Sequence, residues 1–227
     1  MSKIALFNTD CYKLLKHIPS HSIDLVCTDP PYKIETQGAG FFNAKHLDKH
    51  QNQIKALKMS KGFNIKILDE LVRVMKHINI YLWCSRLQLP DYMNYFANYR
   101  CNWNLLKWCK TNPAPCCGNS YLPDTEYCLY FRAKGVRVYG SYKTKHTYYI
   151  TPQNVKDKRK WKCPTIKPLP IIRNLVINSS KPNQIVLDPF MGSGTTGVAC
   201  KKLNRKFIGC EINKKCFRIA QKRIKLT

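Results

Sequence analysis

A chain of 227 residues with 44% hydrophobic residues can bury one full core, and it reads as one domain carrying insertions. Its 39 Lys and Arg against 13 Asp and Glu leave a formal charge of +26, which argues for a polyanionic partner, nucleic acid first, over a merely solubilising surface. No apolar run reaches membrane length, no secretory leader is seen and no C-x-x-C pair repeats, so the twelve Cys read as reduced thiols of a cytoplasmic protein.

In chain order, Ile4-Ala-Leu-Phe7 is a first short strand that ends at Asn8-Thr-Asp10. Leu14, Leu15 and Ile18 then give a helical face. Ile23-Asp-Leu-Val-Cys27 is a second strand and runs into Asp29-Pro30-Pro31-Tyr32. Residues 33–62 carry no clear period and many Lys, and read as a mobile loop beside that motif. Apolar residues at 65, 67, 68, 71, 72, 75 and 78 predict an amphipathic helix over 65–78. A strand follows at 80–84, a short helix at 90–99, and strands at 104–110 and 126–131 with no helix between them. Two successive strands of that kind predict an antiparallel hairpin at one edge of an α/β sheet.

Residues 132–162 hold ten Lys or Arg, one Asp, and Tyr139, Tyr142, Tyr148, Tyr149 and Trp161. Cations interleaved with aromatics suit phosphate contact and base stacking, and equally suit an exposed hairpin with a half-buried tyrosine face. A helix begun by proline spans 168–177, and a basic amphipathic helix spans 214–226. Cys27, Cys84, Cys128, Cys200 and Cys210 sit inside apolar runs and read as small core residues.

Two stretches carry the chemistry. In the first, Ile185-Val-Leu leads into Asp188-Pro-Phe-Met-Gly-Ser-Gly-Thr-Thr-Gly, then a helix, then the strand Lys206-Phe-Ile-Gly-Cys ending at Glu211. Gly192, Gly194 and Gly197 have the G-x-G-x-x-G spacing of a nucleotide-binding turn, and Glu211 follows Gly192 by 19 residues, placed to hold a ribose diol. In the second, Pro30 and Pro31 fix the backbone after Asp29 and remove two N–H donors. The acceptors that remain, with the aromatic Tyr32, suit a flat ring bearing an exocyclic amine. The bland alternative is a proline-rich turn with a capping Asp. Both stretches follow strands, so both belong on the carboxyl rim of an open sheet, where ligands bind.

Asp-Pro-Pro-Tyr followed much later by Asp-Pro-Phe-x-Gly-Ser-Gly-Thr-Thr resembles the S-adenosylmethionine-dependent amino-methyltransferases of DNA, in the permuted order of the beta class. Asn8-Thr-Asp10, Pro123-Asp-Thr-Glu-Tyr and Cys163-Pro-Thr-Ile-Lys-Pro168 are similar to further elements of that family, with Cys163 and Ile166 departing from its usual His and Gln. The resemblance implies a Rossmann-like fold with a mostly parallel sheet and helices on both faces. It implies that Asp188, Phe190, Gly192, Gly194 and Thr195 line the methionine and ribose of S-adenosylmethionine, that Glu211 binds the ribose hydroxyls, that Asp10 lies by the adenosine and that Lys167 lies near the methionine carboxylate. As a plain alternative, Asp10 is a helix cap and Lys167 a surface lysine.

What it implies for catalysis is direct methyl transfer to an adenine N6 amine whose hydrogens are accepted by Asp29 and the Pro30 carbonyl, with Pro31 and Tyr32 completing the motif. The base would be flipped out of double-stranded DNA and stacked on Tyr32. N4-methylation of cytosine is the runner-up, although the family more often has Ser at the position of Asp29 for cytosine. The segments 33–62 and 132–162 are candidates for target recognition, and a restriction endonuclease and a second copy of the chain are candidate partners. Other readings fit less well. A nicotinamide dehydrogenase needs a second half that the chain, ending soon after Glu211, does not leave room for. A P-loop needs a lysine that Gly-Ser-Gly-Thr-Thr lacks, and His46-x-x-x-His50 lacks a third zinc ligand. A non-catalytic DNA-binding subunit on the same fold is opposed by the intact Asp29–Tyr32 motif.

Overall fold

A computed structural model describes residues 3–33, 63–114, 121–163 and 165–227. The elements in order are β1 (Ile4–Phe7), α1 (Cys11–His17), β2 (Leu25–Thr28), α2 (Ile67–Val74), β3 (Asn79–Cys84), α3 (Leu89–Ala97), β4 (Asn102–Lys110) and β5 (Thr125–Arg132). They continue with β6 (Tyr148–Thr151), α4 (Val155–Trp161), α5 (Leu169–Ser179), β7 (Ile185–Asp188), α6 (Thr195–Lys202), β8 (Lys206–Cys210) and α7 (Lys214–Lys225). The loop expected at 33–62 falls, from residue 34 on, outside the described residues, as do His46 and His50.

The eight strands form one sheet in the order β1-β8-β7-β2-β3-β5-β4-β6. From β1 to β3 every pair is parallel. Such strands are buried on both faces, which is why they read as continuous apolar runs. Along β2, Val26 faces α1, α2 and α3, packing with Leu15, Leu68, Leu71 and Phe96. Leu25 and Cys27 face α5, α6 and α7, packing with Leu175, Val198 and Ile224. The molecule is therefore a three-layer sandwich with the sheet in the middle. The five cysteines read as core residues are all buried.

β5 runs antiparallel to both β3 and β4, in register from Asn102 opposite Arg132 to Cys109 opposite Thr125. This is the expected hairpin, but it is not the margin of the sheet. β6 pairs parallel with β4 outside it, Lys107 opposite Tyr148. That strand and α4 both lie in the basic aromatic segment and carry little sequence signal. β6 has four residues of alternating exposure, and α4 buries no residue, so neither leaves an apolar period to read.

The helix expected over 65–78 is shorter, Ile67–Val74. Met75 turns to extended backbone, forms a parallel bridge with Ile23, and Lys76 N–H donates to the Ile23 carbonyl at 2.9 Å. The apolar period continues past the helix because Met75 and Ile78 lead into β3 and stay against the same core.

Candidate active site

Because β1, β8, β7, β2 and β3 are parallel, their carboxyl ends share one rim. β4 and β6 also end there, and β5, running the other way, begins there. The rim therefore collects Asp10 after β1, Glu211 after β8, Asp188 at the end of β7 and Asp29 after β2, together with Lys110 at the end of β4 and Glu126 at the start of β5. The two motif strands are adjacent, with Leu25 opposite Val186 and Val26 opposite Leu187.

On the cofactor side, the chain leaves β7 through Phe190 to Gly194. Gly192 has φ +50° and Gly194 φ +77°, backbone that favours glycine. The two differ in their surroundings. A Cβ on Gly194 would lie 2.8 Å from the Ala220 Cβ of α7, whereas a Cβ on Gly192 would meet nothing within 4 Å. Gly194 thus seats the turn on α7, and Gly192 faces an open cradle. Glu211 closes the cradle: its Oε2 accepts from Gly192 N–H at 3.0 Å and its Oε1 from Asn213 N–H at 2.7 Å. Burial raises the Glu211 carboxyl above its ordinary range, against those two N–H groups. Asn8 reaches from β1 to the Glu211 carbonyl at 2.7 Å, which brings Asp10 onto the same side. Asp10 itself caps α1, its Oδ1 accepting from Tyr12 N–H at 2.9 Å.

Asp188 and Thr195 are buried behind this cradle. Asp188 Oδ1 accepts from Thr28 Oγ1 at 2.7 Å and from Phe190 N–H at 3.2 Å. Burial lifts its carboxyl to about 7, even though these donors pull the other way. Arg223, a buried residue of α7, donates through Nη1 to the Ser193 carbonyl at 2.7 Å and to Thr195 Oγ1 at 3.0 Å. It was hidden in the sequence among the exposed cations of a basic helix.

On the catalytic side, Asp29 and Tyr32 meet two residues from distant elements. Lys167 Nζ lies 2.6 Å from Asp29 Oδ2, 3.0 Å from Tyr32 Oη and 2.9 Å from Glu126 Oε2. Lys110 Nζ lies 2.9 Å from Glu126 Oε1, so anions and cations alternate from Asp29 to Lys110. The Lys167 ammonium also sits over the rings of Tyr32 and Trp83, at 5.2 and 5.0 Å. Gln88 donates to the Pro31 carbonyl at 3.1 Å and holds the proline turn from below. Asp29 Oδ1 is buried and has no hydrogen-bond partner among the described residues.

Burial raises the Asp29 carboxyl, Lys167 lowers it, and the net position is above the ordinary value. Burial would also raise Glu126, but Lys167 and Lys110 outweigh it and hold that carboxyl at about 2. Burial alone would lower Lys167, yet Asp29 and Glu126 keep it above its usual value. Glu126 and Lys110 gained no role from the sequence. The available signal was a charge at the ligand-rim end of each strand, Lys110 on β4 and Glu126 on β5.

Lys167 was expected at the methionine carboxylate, and the structure sets its ammonium on Asp29. Cys163 and Ile166, the two departures in that element, are both buried.

A glycine cradle closed by Glu211 thus stands on the same rim as the proline-fixed carboxylate of Asp29. The DNA methylase family specific for N6 and N4 amines matches residues 23–222, and the chain belongs to that family. The type II methyltransferase M2.LlaDCHI of Lactococcus lactis is 33% identical over 96% of this chain and 88% of its own length. M2.DpnII of Streptococcus pneumoniae is 31% identical over 98% and 90%. Among solved structures, the M1.HpyAVI complex with S-adenosylmethionine superposes with a TM-score of 0.71 at 26% identity, covering 97% of this chain and 99% of that one. The cytosine-N4-specific PvuII methyltransferase shares the fold, with a TM-score of 0.70 at 14% identity over 98% and 86% of the two chains. The protein is an S-adenosylmethionine-dependent DNA methyltransferase.

Proposed function

We propose that this methyltransferase acts site-specifically on the N6 amine of adenine, with Asp29, Pro30, Pro31 and Tyr32 forming the amine site. The observation that carries the reading is the division of labour on Asp29: Oδ2 is held by Lys167, and Oδ1 is buried without a donor among the described residues. An unsatisfied buried acceptor costs about 1–3 kcal/mol, and an incoming N–H relieves it. The Pro30 carbonyl offers the second acceptor that an amine with two hydrogens needs.

The cradle around Gly192 fits the cofactor, because the space beside it is open and Glu211 stands at its edge. Phe190, Gly192 and Glu211 would hold the nucleoside and methionine, with Asp10 by the adenosine. Asp188, Gly194 and Thr195 would shape the cradle from inside. Bound S-adenosylmethionine supplies a methyl group on a positively charged sulfur.

The adenine nitrogen is a poor nucleophile while its lone pair is delocalised into the ring. Accepting both hydrogens lets it pyramidalise and turn that pair toward the methyl. The bound cofactor would give up its methyl to that nitrogen and keep the bonding electrons on sulfur, and Asp29 Oδ1 would take the surplus proton. A carboxyl raised by burial is the better acceptor for that proton. Orientation and electrostatics supply most of the rate, and no cysteine nucleophile takes part. Asp29, where the cytosine enzymes more often carry Ser, favours adenine over cytosine. The chain order, with catalytic β2 before cofactor β7, supports the permuted beta-class reading. The type II designation of the relatives supports a restriction endonuclease as counterpart.

The test is to incubate the protein with unmethylated plasmid DNA and S-adenosylmethionine, digest to nucleosides and identify the product by mass spectrometry. N6-methyldeoxyadenosine is expected. N4-methyldeoxycytidine would transfer the specificity to the runner-up. Asp29→Ala should yield neither while still binding S-adenosylmethionine by calorimetry.

A further inference from the structure

We infer that Glu126 is a positioning residue for the methyl-transfer site, acting through Lys167, and that Lys167 serves Asp29 rather than the methionine carboxylate. This rests on the reading of Asp29 as the amine acceptor.

A lysine ammonium has three N–H groups and no acceptor. Lys167 Nζ has three oxygens in reach, Asp29 Oδ2 at 2.6 Å, Glu126 Oε2 at 2.9 Å and Tyr32 Oη at 3.0 Å. Each hydrogen has its own acceptor, so none is left over for a third carboxylate. Glu126 is likewise committed on both oxygens, one to Lys167 and one to Lys110 at 2.9 Å. Tyr32 Oη also approaches Glu126 Oε2, at 3.3 Å. The four charges come from four elements: the β2 end, the segment before α5, the start of β5 and the end of β4. They alternate in sign and sum to zero. They are also sheltered, with side-chain exposures of 27, 11, 20 and 14% for Asp29, Lys167, Glu126 and Lys110. In such a setting each charge is tolerated because its neighbour is present, and removing one partner leaves another buried and uncompensated.

The consequence falls on the geometry of Asp29. Glu126 is rooted in β5, in register opposite Trp108 of β4, so its carboxylate is a fixed point on the rim. It holds Lys167, and Lys167 holds Asp29 Oδ2. The remaining oxygen, Oδ1, which has no donor among the described residues, is thereby turned to the amine and later to its proton. Tyr32 is fixed by the same two residues, which sets the ring on which the base would stack. One anion, which need not touch the base, therefore orients both parts of the amine site.

The experiment compares Glu126→Gln, Lys167→Met and Asp29→Ala in the full-length protein, with unmethylated plasmid DNA as substrate. S-adenosylmethionine affinity is measured by calorimetry, and kcat at saturating cofactor. Glu126→Gln keeps the shape and one acceptor but removes the charge. It should lower kcat by about tenfold or more while the cofactor Kd stays within about twofold. Lys167→Met should show the same split, more strongly. Lys110→Gln, one step further from Asp29, should show it more weakly and reports on the ladder should either inner variant fail to fold. A cofactor Kd weakened tenfold in Lys167→Met with kcat preserved would return that lysine to the methionine carboxylate and overturn the inference. Wild-type kcat in Glu126→Gln would overturn it as well. If Asp29→Ala retains turnover, the amine-site reading itself fails; if only the ladder variants do, that reading stands and the ladder alone falls.

Discussion

Thr28 Oγ1 donates a 2.7 Å hydrogen bond to Asp188 Oδ1, and both residues are buried. Thr28 is the last residue of β2 and Asp188 the last of β7, so this bond ties the strand that delivers the amine site to the strand that delivers the cofactor turn. Thr28→Val keeps the shape and removes the donor. The Asp188 carboxylate then loses one of its partners in a buried site. Unfolding by urea should show a loss of about 1–3 kcal/mol. An unchanged midpoint would mean that the bond contributes nothing to the pairing of the two strands.

The same carboxylate predicts a pH dependence. Burial raises Asp188 from the ordinary 3.8 to about 7. In the window between those values the folded protein binds a proton that the unfolded chain does not. The stabilisation from that proton is complete below about 3.8 and is lost as pH rises through about 7. Asp188→Asn cannot titrate. Between pH 5 and pH 8, wild type should therefore lose about 2 kcal/mol more stability than this variant, from the free energy of one proton over the window. Equal losses in the two proteins would show that Asp188 stays ionised in the fold.

The two glycines of the cofactor turn should fail differently when replaced. Gly194→Ala combines φ +77° with a 2.8 Å approach to Ala220 Cβ. Left-handed backbone and overpacking together cost about 2–4 kcal/mol. Gly192→Ala meets no neighbour within 4 Å, so only its backbone term remains, about 1 kcal/mol. Its methyl group would instead stand in the cradle, and calorimetry should find S-adenosylmethionine binding about tenfold weaker. A Gly192→Ala protein with wild-type affinity would place the cofactor elsewhere on the rim.

How far the sequence foretold this site depends on what kind of signal each part leaves. The motif strands were legible because an apolar run ending in an unusual turn is local. Asp29-Pro-Pro-Tyr and Gly192-Ser-Gly each declare a backbone geometry within a few residues. The parallel sheet followed from strands buried on both faces. Lys167, Glu126 and Lys110 were not legible as a unit, since they meet only after β4 and β5 pair and the segment before α5 crosses the rim. Arg223 was invisible for the opposite reason: in a helix holding Lys214, Lys215, Arg218, Lys222 and Lys225, nothing local marks the one arginine that points inward to Ser193 and Thr195. β6 and α4 escaped because a four-residue edge strand and a seven-residue exposed helix carry almost no period.

The surplus positive charge has two visible concentrations, and they make different predictions. At the β6 edge, Tyr142, His146 and Tyr148 follow one another with ring centroids 5.4 and 5.5 Å apart, and Lys143 and Lys145 lie among them. Tyr142 is 85% exposed, a large aromatic surface to leave in water. Between α4 and α7 runs a groove of about 820 Å³ lined by Lys160, Lys162, Lys214, Lys215, Arg218 and Lys222 around Trp161. The groove has phosphate-binding charge but one aromatic ring, while the β6 edge has a row of rings suited to stacking on exposed bases. Replacing Lys143 and Lys145 with Gln should reduce the slope of log affinity against log salt by about 2, since each neutralised phosphate contact accounts for about 0.9. Tyr142→Ala should weaken binding without changing that slope, because stacking releases no counterions. Should both sets of variants bind DNA as wild type does, recognition has moved off the β6 edge, and the same measurement on Lys214→Gln with Arg218→Gln would locate it in the groove.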